Sequence, residues 1–228
     1  MSDKVNILTV KFNNQLAFSE IPLFRGALIH TIKGADVLFH NHVGNSFRYR
    51  YPLIQYKRVQ RHACVVCIAE GAETFGEFFN RGDFSLQIGK RNENMEIASI
   101  NAHKEVIQIW DSMFEYYLNN WLALNQENYN KYLQMEGLAE KMLFLQKTLI
   151  ANILSMAKTL NIHFNKNVNV VISSIDLPHS TLYKGVQLIS FNLRFKTNVS
   201  LPDYIGLGKG CSIGYGTIHR VRQKEQYE

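Results

Sequence analysis

Residues 47–69 read FRYRYPLIQYKRVQRHACVVCIA, and their reading decides the fold. Through Phe47–Val59 apolar and polar side chains alternate, the two-residue period of a strand with one buried face. Ala63–Ala69 is a short, continuous apolar run that follows almost at once, so the two segments read as a hairpin. Upstream, VNILTVKF at 5–12 is another strand, and Ile21–Lys33 is a helix. Ile21, Phe24, Leu28 and Ile32 form its buried stripe. Ser19 is its expected N-cap, and Pro22 falls in the first turn, where a missing N–H does no harm. Gly34 ends it. Downstream, Gly71–Gly82 sets Phe75, Phe78 and Phe79 at helical spacing, and Phe84, Leu86 and Ile88 alternate again. The order strand, helix, strand, strand, helix, strand predicts an α+β domain of ferredoxin-like (RRM-like) type, a sheet with two helices on one face.

The second half reads as a looser copy. Val106–Leu124 is aromatic and β-prone, with helix and strand both open. After Gly137, Leu138, Met142, Leu145, Leu149, Ile153, Met156 and Leu160 step by three or four, the period of a long amphipathic helix. Val168–Ile175 and Val186–Lys196 read as strands, and Ser212–Val221 as a closing one. Where a second helix should stand there is a glycine-rich loop. The expectation is two tandem βαββαβ domains, 1–103 and 104–228, the second lacking its second helix. The repeat rests on element order and not on sequence identity.

Composition excludes several classes. In 228 residues, 46% are hydrophobic and 19% charged, which suits a globular chain and not a disordered one. MSDKVNILTV lacks a basic segment followed by an apolar one, so no secretory signal is read. No apolar run is long enough to span a membrane. Three cysteines argue for a reducing compartment, and the expected localisation is cytoplasmic. Cys64 and Cys67 are three apart on a strand and point to opposite faces, so they do not make half a zinc site from regular geometry.

The net charge is +6, from 25 Lys and Arg against 19 Asp and Glu, and it is clustered. From Val37 to Ala69 there is no acidic residue, but there are Arg48, Arg50, Lys57, Arg58 and Arg61, with His40, His42 and His62. Alternation puts Arg48 and Arg50 on one strand face, with Phe47, Tyr49 and Tyr51 behind. That pattern suits a phosphate backbone, and equally a solvated face over an aromatic core. The second acid-free stretch, Tyr204–Lys224, holds Lys209, Arg220, Arg222 and Lys224, and the glycines Gly206, Gly208, Gly210, Gly214 and Gly216. The order of residues fits neither a Walker loop nor a dinucleotide fingerprint. Glycines there permit close approach and phosphate cradling by N–H groups, or simply a tight turn.

Phe39-His40-Asn41-His42 follows the first helix and adjoins the basic strand. Two histidines at i and i+2 share a face in extended chain, and imidazole exchanges protons near neutral pH. RNA supplies its own nucleophile, the 2′-hydroxyl. Cleavage then needs a base, an acid and positive charge for the transition state, which His40, His42 and Lys57 can provide, with Tyr56 as a supporting donor. The same pair also reads as a zinc half-site or a loop staple. His30 is the reserve histidine. No paired-carboxylate cluster of a two-metal nuclease and no nucleophile-elbow motif is present.

These features converge on a resemblance. Leu23-Phe24-Arg25-Gly26-Ala27, the stretch LFHNHVGNSFRYRYPLIQYK at 38–57 and GLGKGCSIGYG at 206–216 resemble the CRISPR repeat-processing endoribonucleases, the sixth CRISPR-associated protein family. The resemblance implies cleavage of CRISPR precursor RNA within each repeat, without metal or cofactor, leaving a 2′,3′-cyclic phosphate (or 3′-phosphate) and a 5′-hydroxyl. It implies a catalytic histidine in or just after the first helix, which fits His40 and His42, with His30 less favoured, and Lys57 loosely matches the basic residue that some members place nearby. RNA contacts would come from Arg48, Arg50, Arg58, Gly206, Gly208, Lys209, Gly210, Gly214 and Arg220. The implied partners are CRISPR repeat RNA and other CRISPR effector proteins, with the chain a monomer or homodimer. Some members bind RNA without cutting it, so a repeat-binding subunit that hands its RNA to an effector complex is the alternative. A purely structural domain with solvated basic faces is the third reading.

Overall fold

The computed structural model describes residues 4–31, 42–43, 46–47, 51–80 and 84–222. The chain forms two compact units. One comprises residues 3–106 with 211–214, and the other 107–210 with 215–228.

Unit 1 is built on β1 (Lys4–Gln15), β4 (Ile54–Val59), β5 (His62–Ile68) and β8 (Ile97–Val106), in the order β4-β5-β1-β8 with every neighbour antiparallel. Two-residue strands β2 (His42–Val43) and β3 (Ser46–Phe47) pair with each other apart from it. Helices α1 (Ile21–Thr31) and α2 (Gly71–Phe79) supply Ile21, Phe24, Leu28, Phe75 and Phe78 to one core. There they meet Leu8, Val10, Phe12, Ile54, Tyr56, Val65 and Cys67 of the strands. Phe24 is central to this packing, edge-on to Phe12 and to Tyr56 at 6.0 Å each. Burial of each large apolar side chain contributes roughly 1.5–3 kcal/mol.

The start of α1 differs from the sequence expectation. Ser19 lies inside a 3-10 turn, Phe18–Glu20, and the cap contact is Ala17 N–H donating to Glu20 Oε2 at 2.8 Å. Pro22 contributes to this, because it removes one of the two N–H groups that a cap at Ser19 could bond.

The closing strand also differs. Ser85–Ile88 is a strand, β6, but among the described residues it pairs only with β7 (Arg91–Asn94), in a separate hairpin that feeds Leu86, Ile88 and the following Met95 into the core. The strand that completes the sheet is β8, whose residues 98–104 are all exposed. With neither face buried over that length, β8 has no hydrophobic alternation to read, and its ladder to β1 defines it. The first strand of the hairpin is likewise shorter than read, starting at Ile54 and not at Phe47.

Unit 2 has β9 (Ile109–Trp121), β10 (Val170–Ile175), β12 (Val186–Val199) and β13 (Thr217–Arg220) in the order β10-β12-β9-β13, with β11 (His179–Tyr183) paired to β12. The ambiguous aromatic run is therefore strand. Between β9 and β10 stand α3 (Gln126–Gln134), which no sequence signal had marked, and the long α4 (Leu138–Thr159). Asn125 caps α3, its side chain accepting from Asn128 N–H at 2.8 Å. Leu145, Leu149, Ile153 and Met156 are the buried stripe of α4, and Gln146 Oε1 ties it to β10 by accepting from Ile172 N–H at 2.9 Å. Among the described residues no helix follows β12, and the last strand is the short β13. Among the same residues no helix is long and apolar enough to cross a membrane.

Residues 211–214 account for the shortened last strand. They count with unit 1, where Ile213 bridges in parallel to Tyr56 and Ser212 O accepts from Tyr56 N–H at 2.8 Å. Gly214 has φ +92°, and a Cβ there would stand 2.6 Å from Ile21 Cδ1 and 3.3 Å from Phe18 Cε2. Gly214→Val is therefore expected to destabilise the protein by about 2–4 kcal/mol in urea unfolding. Gly26→Ala, in the middle of α1 with open space around it, is expected to stabilise by about 0.5–1 kcal/mol in the same assay.

Candidate functional site

β4 reads IQYKRV, and five of its six residues are buried, Arg58 alone being exposed. An alternating strand normally wets one face. Here the Tyr56 face lies against α1, while Gln55 and Lys57 on the other face are 0% exposed.

Lys57 is the most constrained group of the region. Its Nζ donates to the Cys211 carbonyl oxygen at 2.7 Å, across 154 residues of chain. Burial pushes its pKa down from 10.5 to about 8, and the Cys211 and Cys64 thiols beside it only partly oppose the shift. The same burial pushes the Cys211 thiol up to about 11 and the Cys64 thiol up to about 12. The Lys57 ammonium thus faces the protein interior and holds a main-chain carbonyl. Tyr56 is 1% exposed, and its hydroxyl has no hydrogen-bond partner among the described residues. Burial raises its pKa well above the usual phenol range, against a lowering influence from Arg25.

Tyr56 and Lys57 are thereby brought together with Cys211–Gly214, joining the two acid-free stretches of the sequence within one unit. Cys64 and Cys67 are free and buried, and Cys67 is in the core under α1 while Cys64 is not, as residues three apart on a strand require. His40, Arg48 and Arg50 lie outside the described residues, as does the side chain of His42, whose backbone pairs with Phe47. His30 is in the last turn of α1 and is exposed.

The other glycine-loop residues belong to unit 2. Gly206 bridges to Thr217, and Gly210 O accepts from Tyr215 N–H at 3.3 Å. Gly216 N–H is spent on Asn120 O at 3.1 Å, so the loop's donors are not all free to cradle an anion. The Lys209 ammonium lies 5.2 Å from the centre of the Tyr183 ring, which meets Tyr215 edge-on at 5.4 Å. Sequence reasoning missed this tyrosine pair. Its only signal was aromatic residues interleaved with Lys184 and Lys209. Arg220 sits on β13 with its guanidinium 4.6 Å from the Phe114 ring centre, held there by a cation–π contact.

A chain of two tandem sheet-and-helix units, with a glycine-bearing piece of the second half laced into the first, is the class that fold and site define. Two family models match it along nearly its whole length, the Cas6b N-terminal domain over residues 3–106 and the Cas6b C-terminal domain over 108–221. The chain belongs to the Cas6b family of CRISPR repeat-processing proteins. It is similar to a solved structure described as Cas6b, with a TM-score of 0.84 and 26% identity over 96% of this chain and 100% of that one. A structure described as the CRISPR RNA processing endoribonuclease Cas6b matches with a TM-score of 0.75 and 23% identity, over the same shares. An uncharacterized protein of Methanocaldococcus jannaschii, MJ0978, is 30% identical over 148 residues, which are 62% of this chain and 99% of that protein.

The buried lysine makes a prediction of definite sign. Unfolded, Lys57 keeps its proton up to about 10.5, and folded only up to about 8. Between those values the unfolded chain binds more protons, so this group makes stability rise with pH. Compared with Lys57→Met, the wild-type protein is expected to gain about 3 kcal/mol between pH 8 and pH 10.5. Urea unfolding of both proteins across that range checks it. Parallel pH profiles would mean that Lys57 titrates like a solvated lysine.

Proposed function

We propose that this protein is a metal-independent endoribonuclease that cuts CRISPR precursor RNA within the repeats. The match of Cas6b family models to both halves carries the reading. One of the similar solved structures is that of a CRISPR RNA processing endoribonuclease, which supports the same activity here. Physical chemistry adds to this support. The two acid-free basic stretches, far apart in sequence, meet where Tyr56 and Lys57 join Cys211 and Ser212. The strand order of unit 1, with helices between its first and second and its third and fourth strands, supports reading it as ferredoxin-like. Unit 2 then reads as a copy without its second helix.

In the reaction one histidine of the pair His40 and His42 takes the proton of the 2′-hydroxyl. The freed oxygen attacks the adjacent phosphorus, and the bond from phosphorus to the 5′ oxygen breaks. The other histidine protonates that 5′ oxygen. The products are a 2′,3′-cyclic phosphate and a 5′-hydroxyl. Arg48, Arg50 and Arg58 neutralise the phosphate backbone, and Lys57 acts as a positioning residue that holds the glycine-bearing segment on β4.

Cleavage of the cognate repeat RNA is expected to persist in excess EDTA. It is expected to fall by about 10²-fold or more in the His40→Ala, His42→Ala double variant, as loss of acid–base groups requires. A 2′-deoxy nucleotide at the cut position should block it. Denaturing gels check all three. Undiminished cleavage by the double variant would overturn the histidine mechanism, and salt-sensitive binding of the repeat without any cleavage would assign the protein to the repeat-binding subunits.

A further inference from the structure

Unit 2 contains a cleft of about 440 Å³ that the proposed chemistry does not use. Leu122 and Phe144 give it an apolar and aromatic lining, Asn128 and Asn152 contribute amides, and Lys147 and Lys209 contribute charge. No residue that lines it is acidic. Among the described residues neither lysine is ion-paired.

The cleft is a built feature. Trp121, which precedes Leu122 of the lining, is fully buried, and its indole N–H can only donate. It donates to Asn152 Oδ1 at 3.0 Å, which turns the amide NH₂ of Asn152 away from the indole and fixes its orientation. Gly208 closes over this pair. Its φ is +80°, and a Cβ there would come within 2.7 Å of Asn152 Oδ1 and 2.8 Å of Trp121 Nε1. Only glycine lets the loop approach so closely. The next residue, Lys209, is then locked by its antiparallel bridge to Leu122, itself part of the cleft lining. One glycine thus sets a cation at a cleft whose amide donor is already oriented.

We propose that this cleft receives a single unpaired nucleotide, its base against Phe144 and the asparagine amides and its phosphate between Lys147 and Lys209. The volume is in the range of small-ligand sites. Aromatic stacking with cation pairing is the chemistry by which proteins hold single-stranded nucleotides, and amide side chains reach base edges. An acidic ligand face would repel phosphate, and none is present. The proposal rests on the reading that this chain handles RNA, and it adds a holding site lined by residues of unit 2 alone.

The test uses the full chain, a fluorescein-labelled single-stranded RNA octamer that carries 4-thiouridine, and AMP. Lys147→Glu removes one cation, while Ala151→Trp fills the cleft without changing charge. Each variant is expected to weaken octamer binding at least tenfold by anisotropy, with ultraviolet crosslinking to the Phe144 peptide lost. Cleavage of the repeat RNA at saturating protein is expected to keep its wild-type rate. Competition by AMP, itself lost in both variants, would show that a free nucleotide suffices. Binding of the octamer without AMP competition would show that the occupant belongs to an RNA chain. Folded variants that bind octamer and AMP like the wild type, with crosslinks elsewhere, overturn the proposal. If the wild-type protein cuts repeat RNA while that happens, only the cleft is wrong. If it neither binds nor cuts the repeat, the RNA reading itself fails.

Discussion

The rest of the site depends on one hydrogen bond, from the Lys57 ammonium to the Cys211 carbonyl. A lysine with no exposed surface is expensive, because its charge leaves water. The structure answers the cost with a strong acceptor 2.7 Å away and with a pKa drawn toward 8, so that the charge is held only loosely near neutrality. A second tie lies beside it, from Tyr56 N–H to Ser212 O. Together they cover the outer edge of β4, whose backbone groups would otherwise stand open to unwanted pairing. The segment that does so comes from the far end of the chain.

The glycine-rich loop therefore has two structural tasks. Residues 211–214 belong to unit 1 and complete the edge of its sheet. Residues on either side belong to unit 2, where Gly208 lies tight on Trp121 and Asn152, and the Lys209 ammonium lies over the Tyr183 ring, which meets Tyr215 edge-on. Glycine is needed at these points for space and for left-handed backbone. A reading of such a loop as a phosphate cradle alone understates this, since some of its backbone groups are already engaged within the protein.

Elements with a strong period were legible from sequence. The stripe of α4, the aromatic spacing of α2 and the apolar run of β5 follow from side chains that must be buried on one face or on both. β8 was not legible, because its middle residues are exposed on both faces and only the ladder to β1 makes them a strand. The Ser85–Ile88 strand was legible as a strand, but nothing local distinguishes a sheet partner from a hairpin that caps the core. For the site, charge clustering marked both basic stretches. The burial of Lys57 and Tyr56 was invisible, since alternation alone predicts one wet face.

What the sequence by itself determined is the set of helices and strands with buried faces, the clustering of positive charge away from acidic residues, and the family resemblance that those stretches carry. These are local properties, written in the spacing of side chains. Only the tertiary structure decided that Cys211–Gly214 crosses to unit 1, that Lys57 faces inward, and that Gly208 sets Lys209 at a cleft. Each of these depends on groups far apart in the chain meeting at atomic distance, and no local spacing encodes which carbonyl a buried ammonium will find.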